Sequence, residues 1–191
     1  MERIICYIDG YNFFHATKDK PSANINLQSL AHSFLDTKHA RLGTKQLINV
    51  YYFSALATWR KKDMAKHKHY ITQLTDVGVE VILSHFKKKR LTCADCHTQY
   101  WRHEEKESDV RLALQILDDA IHHKYDTAFI LSGDSDIVPA IEKVKLNFPE
   151  KRILIALPKH SLKHARDITS SAHGFINLSP SRIKKHMFSS I

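Results

Sequence analysis

Along this chain, apolar runs that end on acids alternate with stretches of helical spacing. Arg3 to Asp9 (RIICYID) is nearly continuous in apolar residues and closes on a carboxylate, which predicts a buried strand. Leu27, Leu30, Ala31 and Leu35 recur at helical spacing, so a helix is expected over Leu27 to Lys38. Gln46 to Ala55 (QLINVYYFSA) is rich in β-branched and aromatic residues and reads as a second strand. Trp59 to Asp76 reads as a helix with a basic outer face, and Val77 to Ser84 as a short third strand with Gly78 near its start. Regularity then fails from His85 to His103, a basic stretch with a cysteine pair that reads as a hairpin insertion. From Ser108 a helix is expected, with Val110, Ala113, Leu114, Leu117, Ala120 and Ile121 forming a broad apolar stripe. A fourth strand (Thr127 to Ser132), a helix (Ser135 to Leu146) and a fifth strand (Arg152 to Leu157) follow. A short helix (Ser161 to Asp167), a strand-like piece (Gly174 to Leu178) and a basic tail from Pro180 complete the pattern.

Strands separated by helices imply βαβ units and an α/β fold whose central, mainly parallel sheet is covered on both faces. In open sheets of this kind functional groups gather in the crevice at the carboxyl ends of the strands. Asp9 and Asp134 each sit just past a strand, so both are expected in that crevice. Asp136 follows Ser135, a candidate N-cap, and is expected in a first helical turn. Asp109 opens the helix after the insertion, where an acid is also ordinary helix-terminus chemistry. In SGDSD, two acids, a glycine and two hydroxyls stand together at a strand end, which folding alone does not require.

Composition narrows the class. A chain of 191 residues with 43% hydrophobic content suits one domain, expected over 1–179, with an insertion at 85–103 and a basic tail at 180–191. No apolar run approaches the length that crosses a bilayer, and the N-terminus carries no secretory pattern. With three cysteines, a reducing, cytoplasmic setting is expected and a disulfide framework is not. The net charge of +9 is clustered in WRKKDMAKHKH (Trp59 to His69), FKKKR (Phe86 to Arg90) and SRIKKH (Ser181 to His186). Such clusters attract polyanions, nucleic acid above all, although a single run is equally a solvated face.

Several acids in one crevice repel one another unless a cation is present. Oxygen ligands select hard ions, so Mg²⁺ or Mn²⁺ is the expected occupant of Asp9, Asp109, Asp134 and Asp136.

YIDGYNFF, EEKESDVRLALQILDDA and YDTAFILSGDSDIVPAI, in that order, resemble the NYN domain family of the PIN-like (PilT N-terminus) ribonuclease superfamily. The resemblance spans Arg3 to Pro158. It implies a three-layer α/β/α sandwich, an acidic metal site and a ribonuclease acting on RNA. By position it assigns Asp9, Asp109, Asp134 and Asp136 as catalytic metal ligands, Asn12 to the D-x-x-N opening, and Ser132 and Ser135 as hydroxyls orienting a carboxylate or phosphate. Beside this, Lys87, Lys88, Lys89 and Arg90 are the cations expected to hold the RNA strand. The chain departs from the family pattern at Glu107-Ser108, where many relatives carry a small or amide residue.

Cys93 and Cys96 have zinc-ligand spacing, and His97, His103 or His85 could complete a structural Zn²⁺ site, but no second C-x-x-C exists. The leading reading is a metal-dependent ribonuclease; the alternative is a non-catalytic RNA-binding or regulatory module on the same fold. A haloacid-dehalogenase-type phosphatase ranks last, because that chemistry wants an acid two residues after Asp9, where Tyr11 stands.

Overall fold

A computed structural model describes residues 1–17, 24–36 and 43–189. Its centre is a seven-stranded sheet. The strands are β1 (Glu2–Asp9), β2 (Lys45–Ala55), β3 (Glu80–Thr92), β4 (Gln99–Lys106), β5 (Thr127–Leu131), β6 (Arg152–Leu157) and β7 (Phe175–Asn177). Their spatial order is β4-β3-β2-β1-β5-β6-β7. All neighbours pair in parallel except β3 and β4, which form an antiparallel hairpin. The described helices are α1 (Gly10–Thr17), α2 (Leu27–His32), α3 (Lys61–Asp76), α4 (Ser108–Ile121), α5 (Val138–Asn147), α6 (Lys159–Leu162), α7 (Arg166–Ser171) and α8 (Pro180–Lys184).

Strand side chains alternate between two apolar cores, as a sheet covered on both faces requires. Ile4, Cys6 and Ile8 of β1 pack with Leu27 and Leu30 of α2 and Tyr70 and Leu74 of α3. Ile5 and Tyr7 pack with Leu112 and Ile116 of α4 and Ile141 and Val144 of α5. The architecture is that of an α/β sandwich. Among the described residues, no helix is long and apolar enough to cross a membrane.

Several expectations need correction. The chain turns into α1 directly at Gly10, a helix the hydropathy pattern did not announce, because its aromatic-rich sequence (GYNFFHAT) suits a strand equally well. The third strand does not stop at Ser84. Its first half pairs with β2, from Tyr51↔Glu80 to Ala55↔Ser84, and its second half continues through the basic run to pair with β4, from His85↔Lys106 to Thr92↔Gln99. The β3–β4 arm thus projects past the carboxyl end of β2. The helix expected at Leu27 ends at His32 and gives way to turns; Thr37 and Lys38 lie outside the described residues. The expected Ser161–Asp167 helix is instead the pair α6 and α7, and a 3-10 turn (Ser135–Ile137) precedes α5.

The apolar stripe of α4 is rotated from the expected one. Leu112, Ile116, Asp119 and Ala120 face the sheet, while Val110, Leu114 and Ile121 are exposed. Asp119 is fully buried because its carboxylate accepts from Tyr7 Oη at 2.8 Å, Gln115 Nε2 at 2.9 Å and Lys124 Nζ at 2.8 Å. Hydropathy counts Asp119 as an outward residue; only the partners supplied by β1 and the α4–β5 turn let it point inward.

Within the basic tail, Arg182 turns inward: it sits over the Phe34 ring and donates to Ser33 Oγ at 3.1 Å. A bridge between Ile25 and Met187 ties this end to the chain before α2. Ser190 and Ile191 of the expected tail lie outside the described residues.

A candidate metal centre

Chain order places the switch point of the sheet between β1 and β5. From β1 the chain winds outward through β2 and β3, and then returns to lay β5 on the other side of β1. Loops leaving β1 and β5 therefore diverge and leave a crevice at their carboxyl ends. Asp9 is the last residue of β1, and Asp134 follows β5 by two residues of turn. Asp109 arrives from the first turn of α4.

These three acids meet: one carboxylate oxygen from each lies within 4.8 Å of the other two. Oxygens around an octahedral Mg²⁺ at 2.0–2.1 Å stand about 3 Å apart when adjacent and about 4.2 Å when opposite, so three carboxylates within 4.8 Å reach ligand spacing by closing up on the ion. Chemistry and spacing of the donors both suit a hard divalent cation.

A network of hydrogen bonds aims the acids. The Asn12 N–H donates to Asp9 Oδ1 at 2.9 Å, and Ser132 Oγ donates to Asp9 Oδ2 at 3.0 Å. Ser132 Oγ also accepts from the Asp134 N–H at 3.1 Å, and Asn12 Oδ1 accepts from the Gly133 N–H at 2.9 Å. Asn12 and Ser132 thereby tie the two strand-end turns together. Gly10 is required by crowding, since a Cβ there would meet the Tyr52 ring at 2.7 Å and the Phe53 carbonyl oxygen at 2.8 Å.

Electrostatics mark the same place. Burial, with Asp109 and Glu105 nearby, pushes Asp9 up to about 7 against the opposing bonds from Asn12 and Ser132. Burial first, then Asp134 and Asp136, raise Asp109 as well. Glu105 is raised by burial and by Asp109, against a bond donated by Ser108 Oγ. The site holds negative charge that its own hydrogen bonds do not compensate, which is the condition a cation relieves.

Asp136 stands outside the group of three. It is exposed, and its backbone N–H donates to Asp134 Oδ1 at 3.0 Å. The cap of this turn is Asp134 rather than Ser135, which is exposed within the 3-10 turn. Glu107 adopts φ 73°, the left-handed region that glycine and asparagine enter most readily. Its exposed carboxylate accepts from Arg111 Nη2 at 3.0 Å.

The four expected strand-holding cations occupy β3, where alternation divides them. Lys88 and Arg90 share a face with Phe86, Trp101, His103 and Glu105; Lys87 and Lys89 share the other with Arg102 and Glu104. Lys88 Nζ lies 4.3 Å from the Trp101 ring centre. Cys93 and Cys96 are free thiols at the hairpin turn, and among the described residues His85, His97 and His103 do not gather with them into a ligand set. His103 instead stacks on Trp59 at 3.7 Å. Sequence reasoning missed Glu105; the one available signal was its place in EEKESDV, two residues from His103 on an alternating strand.

The site is therefore a cluster of three carboxylates at the switch point of a mostly parallel α/β sheet. The chain belongs to the NYN domain family, which residues 3–179 match. It is 29% identical to the 6-hydroxy-3-succinoylpyridine 3-monooxygenase HspA of Pseudomonas putida over 182 aligned residues, covering 80% of this chain. The chain spans 58% of the length of that relative. Its fold is similar to the crystal structure of a protein of unknown function from Vibrio parahaemolyticus, with a TM-score of 0.63, 17% identity and 94% of each chain covered.

Proposed function

We propose that this protein is a metal-dependent ribonuclease that cleaves RNA phosphodiester bonds at Asp9, Asp109 and Asp134. The observation that carries the reading is the convergence of three carboxylates from separate stretches of chain to within 4.8 Å at the switch point of a family-typical fold. Mg²⁺ or Mn²⁺ held there supplies Lewis acidity and neutralises charge developing on a phosphoryl group. Ser132 and Asn12 hold Asp9 and the Asp134 turn in the geometry that receives the ion. Asp136, exposed beside Asp134, serves as a further ligand or as the base that orients water. Ser135 is open to an incoming phosphate oxygen. Lys87, Lys88, Lys89 and Arg90 on the projecting arm hold the strand by its phosphates.

The test is cleavage of single-stranded RNA by the full chain, with and without Mn²⁺, beside Asp134→Asn. The variant keeps the shape of the cap and removes one charge. Cleavage is expected to fall by about two to four orders of magnitude, the scale set by losing a positioned catalytic group. RNA affinity holds or rises slightly. Equal cutting by both proteins assigns the activity elsewhere. If neither cuts with any divalent ion while both bind RNA, the chain is a binding module on this scaffold.

A further inference from the structure

A cavity of about 600 Å³ opens beside the carboxylates, and its lining is aromatic. Gly10 and Glu105 line it; the first follows Asp9 in the chain and the second acts electrostatically on Asp9. Tyr52 and Tyr70 are buried and form its inner lining, whereas Tyr11, Phe14 and Trp59 line it while 57%, 49% and 40% exposed. Large rings left open around a concave site mark a ligand rather than a fold requirement.

We propose that this cavity is a nucleobase pocket, which takes the flat ring of one nucleotide of the strand whose phosphate lies at Asp9, Asp109 and Asp134. The inference rests on the RNA reading above and adds to it a residue-level recognition site. Trp59 is the stacking shelf. Its ring lies parallel to His103, 3.7 Å between centres and 10° between planes, and Phe86 meets it edge-on at 4.8 Å. A ring locked by two neighbours loses little freedom when a base stacks on it.

Surrounding charge selects a nucleotide over an uncharged apolar ligand. Lys66 lines the cavity, and Lys88 and Arg90 continue outward on the strand face that carries His103 and Glu105. A base in the pocket thus adjoins the cationic strand face through Phe86 and His103 and adjoins Asp9 through Gly10. Arg60 and Asp63, also in the lining, pair with each other at 3.7 Å, and Ser54, His67 and Glu105 are the polar groups assigned to the base edge. Ser54 Oγ and His67 Nε2 are 3.4 Å apart, and burial holds the His67 ring below its ordinary pKa. A neutral imidazole offers one donor and one acceptor to a base edge.

Two tryptophans make the experiment direct: in Trp101→Phe the emission reports Trp59 alone. Binding is measured on the full chain in the Asp134→Asn background, with a short single-stranded RNA oligonucleotide and with the same oligonucleotide carrying one abasic residue at successive positions. Quenching of Trp59 is expected to saturate with RNA and to vanish for one abasic position. Trp59→Ala lowers affinity about 5- to 100-fold, the range for loss of one base–aromatic stack. Trp59→Phe recovers most of it. The salt slope stays unchanged, because no phosphate contact is lost. Wild-type affinity in Trp59→Ala, or bound RNA without quenching, overturns the pocket, and continued metal-dependent cleavage in that case leaves the nuclease reading standing. Conversely, Trp59-dependent binding without cleavage by the Asp134-intact chain under any divalent ion keeps the pocket and sinks the nuclease. Absence of RNA binding at low salt overturns the pocket outright.

Discussion

Asp9 offers the sharpest test of the electrostatic argument. Its carboxyl is displaced from an ordinary 3.8 to about 7, chiefly by burial. Each unit is worth about 1.36 kcal/mol, so ionising Asp9 in the metal-free fold costs about 4 kcal/mol more than in the unfolded chain. The sign follows from proton counting. Between the unfolded and folded pKa values the native state holds a proton that the unfolded state has released, so stability falls as pH rises through this window. Between about pH 5 and pH 8 the contribution of Asp9 declines by about 2–3 kcal/mol. Other groups titrate nearby: Asp109 and Glu105 are raised and act in the same direction, while His67, His173 and His186 are lowered and act against it. The comparison that isolates Asp9 is therefore the difference between Asp9→Asn and wild type, measured by urea unfolding in chelator at several pH values.

Asparagine keeps the acceptor for the Asn12 N–H but disturbs the bond from Ser132 Oγ, at a cost of about 1 kcal/mol. The variant should be the less stable protein near pH 5 and the more stable one near pH 8, with the difference growing by about 2–3 kcal/mol. Saturating Mn²⁺ should reverse the order at high pH by stabilising only the wild type, by about 2.7 kcal/mol at a hundred times the dissociation constant. A pH-independent difference between the two proteins would refute the claim that Asp9 is an uncompensated buried charge.

Asp119→Ala should destabilise the chain by about 2–4 kcal/mol, because it leaves the buried Tyr7 hydroxyl without its acceptor and removes the nearer of the two acidic partners of Lys124. On a Tyr7→Phe background the loss should shrink by about 1 kcal/mol in chemical denaturation, and full additivity would show that the pair does not interact. Replacing Lys88 and Arg90 together by alanine should leave thermal unfolding unchanged and lower the slope of log affinity against log salt for single-stranded RNA by about 1.4, or about 0.7 per phosphate contact. An unaltered slope would make that strand face merely solvated.

The sequence by itself determined the strands that are buried on both faces. Continuous apolar runs such as Thr127 to Leu131 and Arg152 to Leu157 have one stable environment, the middle of a parallel sheet, so hydropathy suffices to place them. Asp9 and Asp134 were legible for the same reason, since an acid that ends such a run must emerge at the sheet's carboxyl edge. Asp109 was not legible from spacing, where it looks like any first-turn acid, and only family resemblance raised it.

Tertiary structure decided whatever depended on partners distant in sequence. The α4 face could not be read because Asp119 is buried only if Tyr7 and Lys124 meet it. Basic β3 could not be read past Ser84 because an exposed hairpin carries no apolar run; its order comes from pairing with β4. The aromatic cavity was invisible because Gly10, Tyr52, Trp59, Phe86 and His103 come from five segments that adjoin only when the sheet is assembled. Hydrophobic burial is averaged over a segment and survives in local pattern, whereas a polar site is a coincidence of single side chains that the folded topology alone brings about.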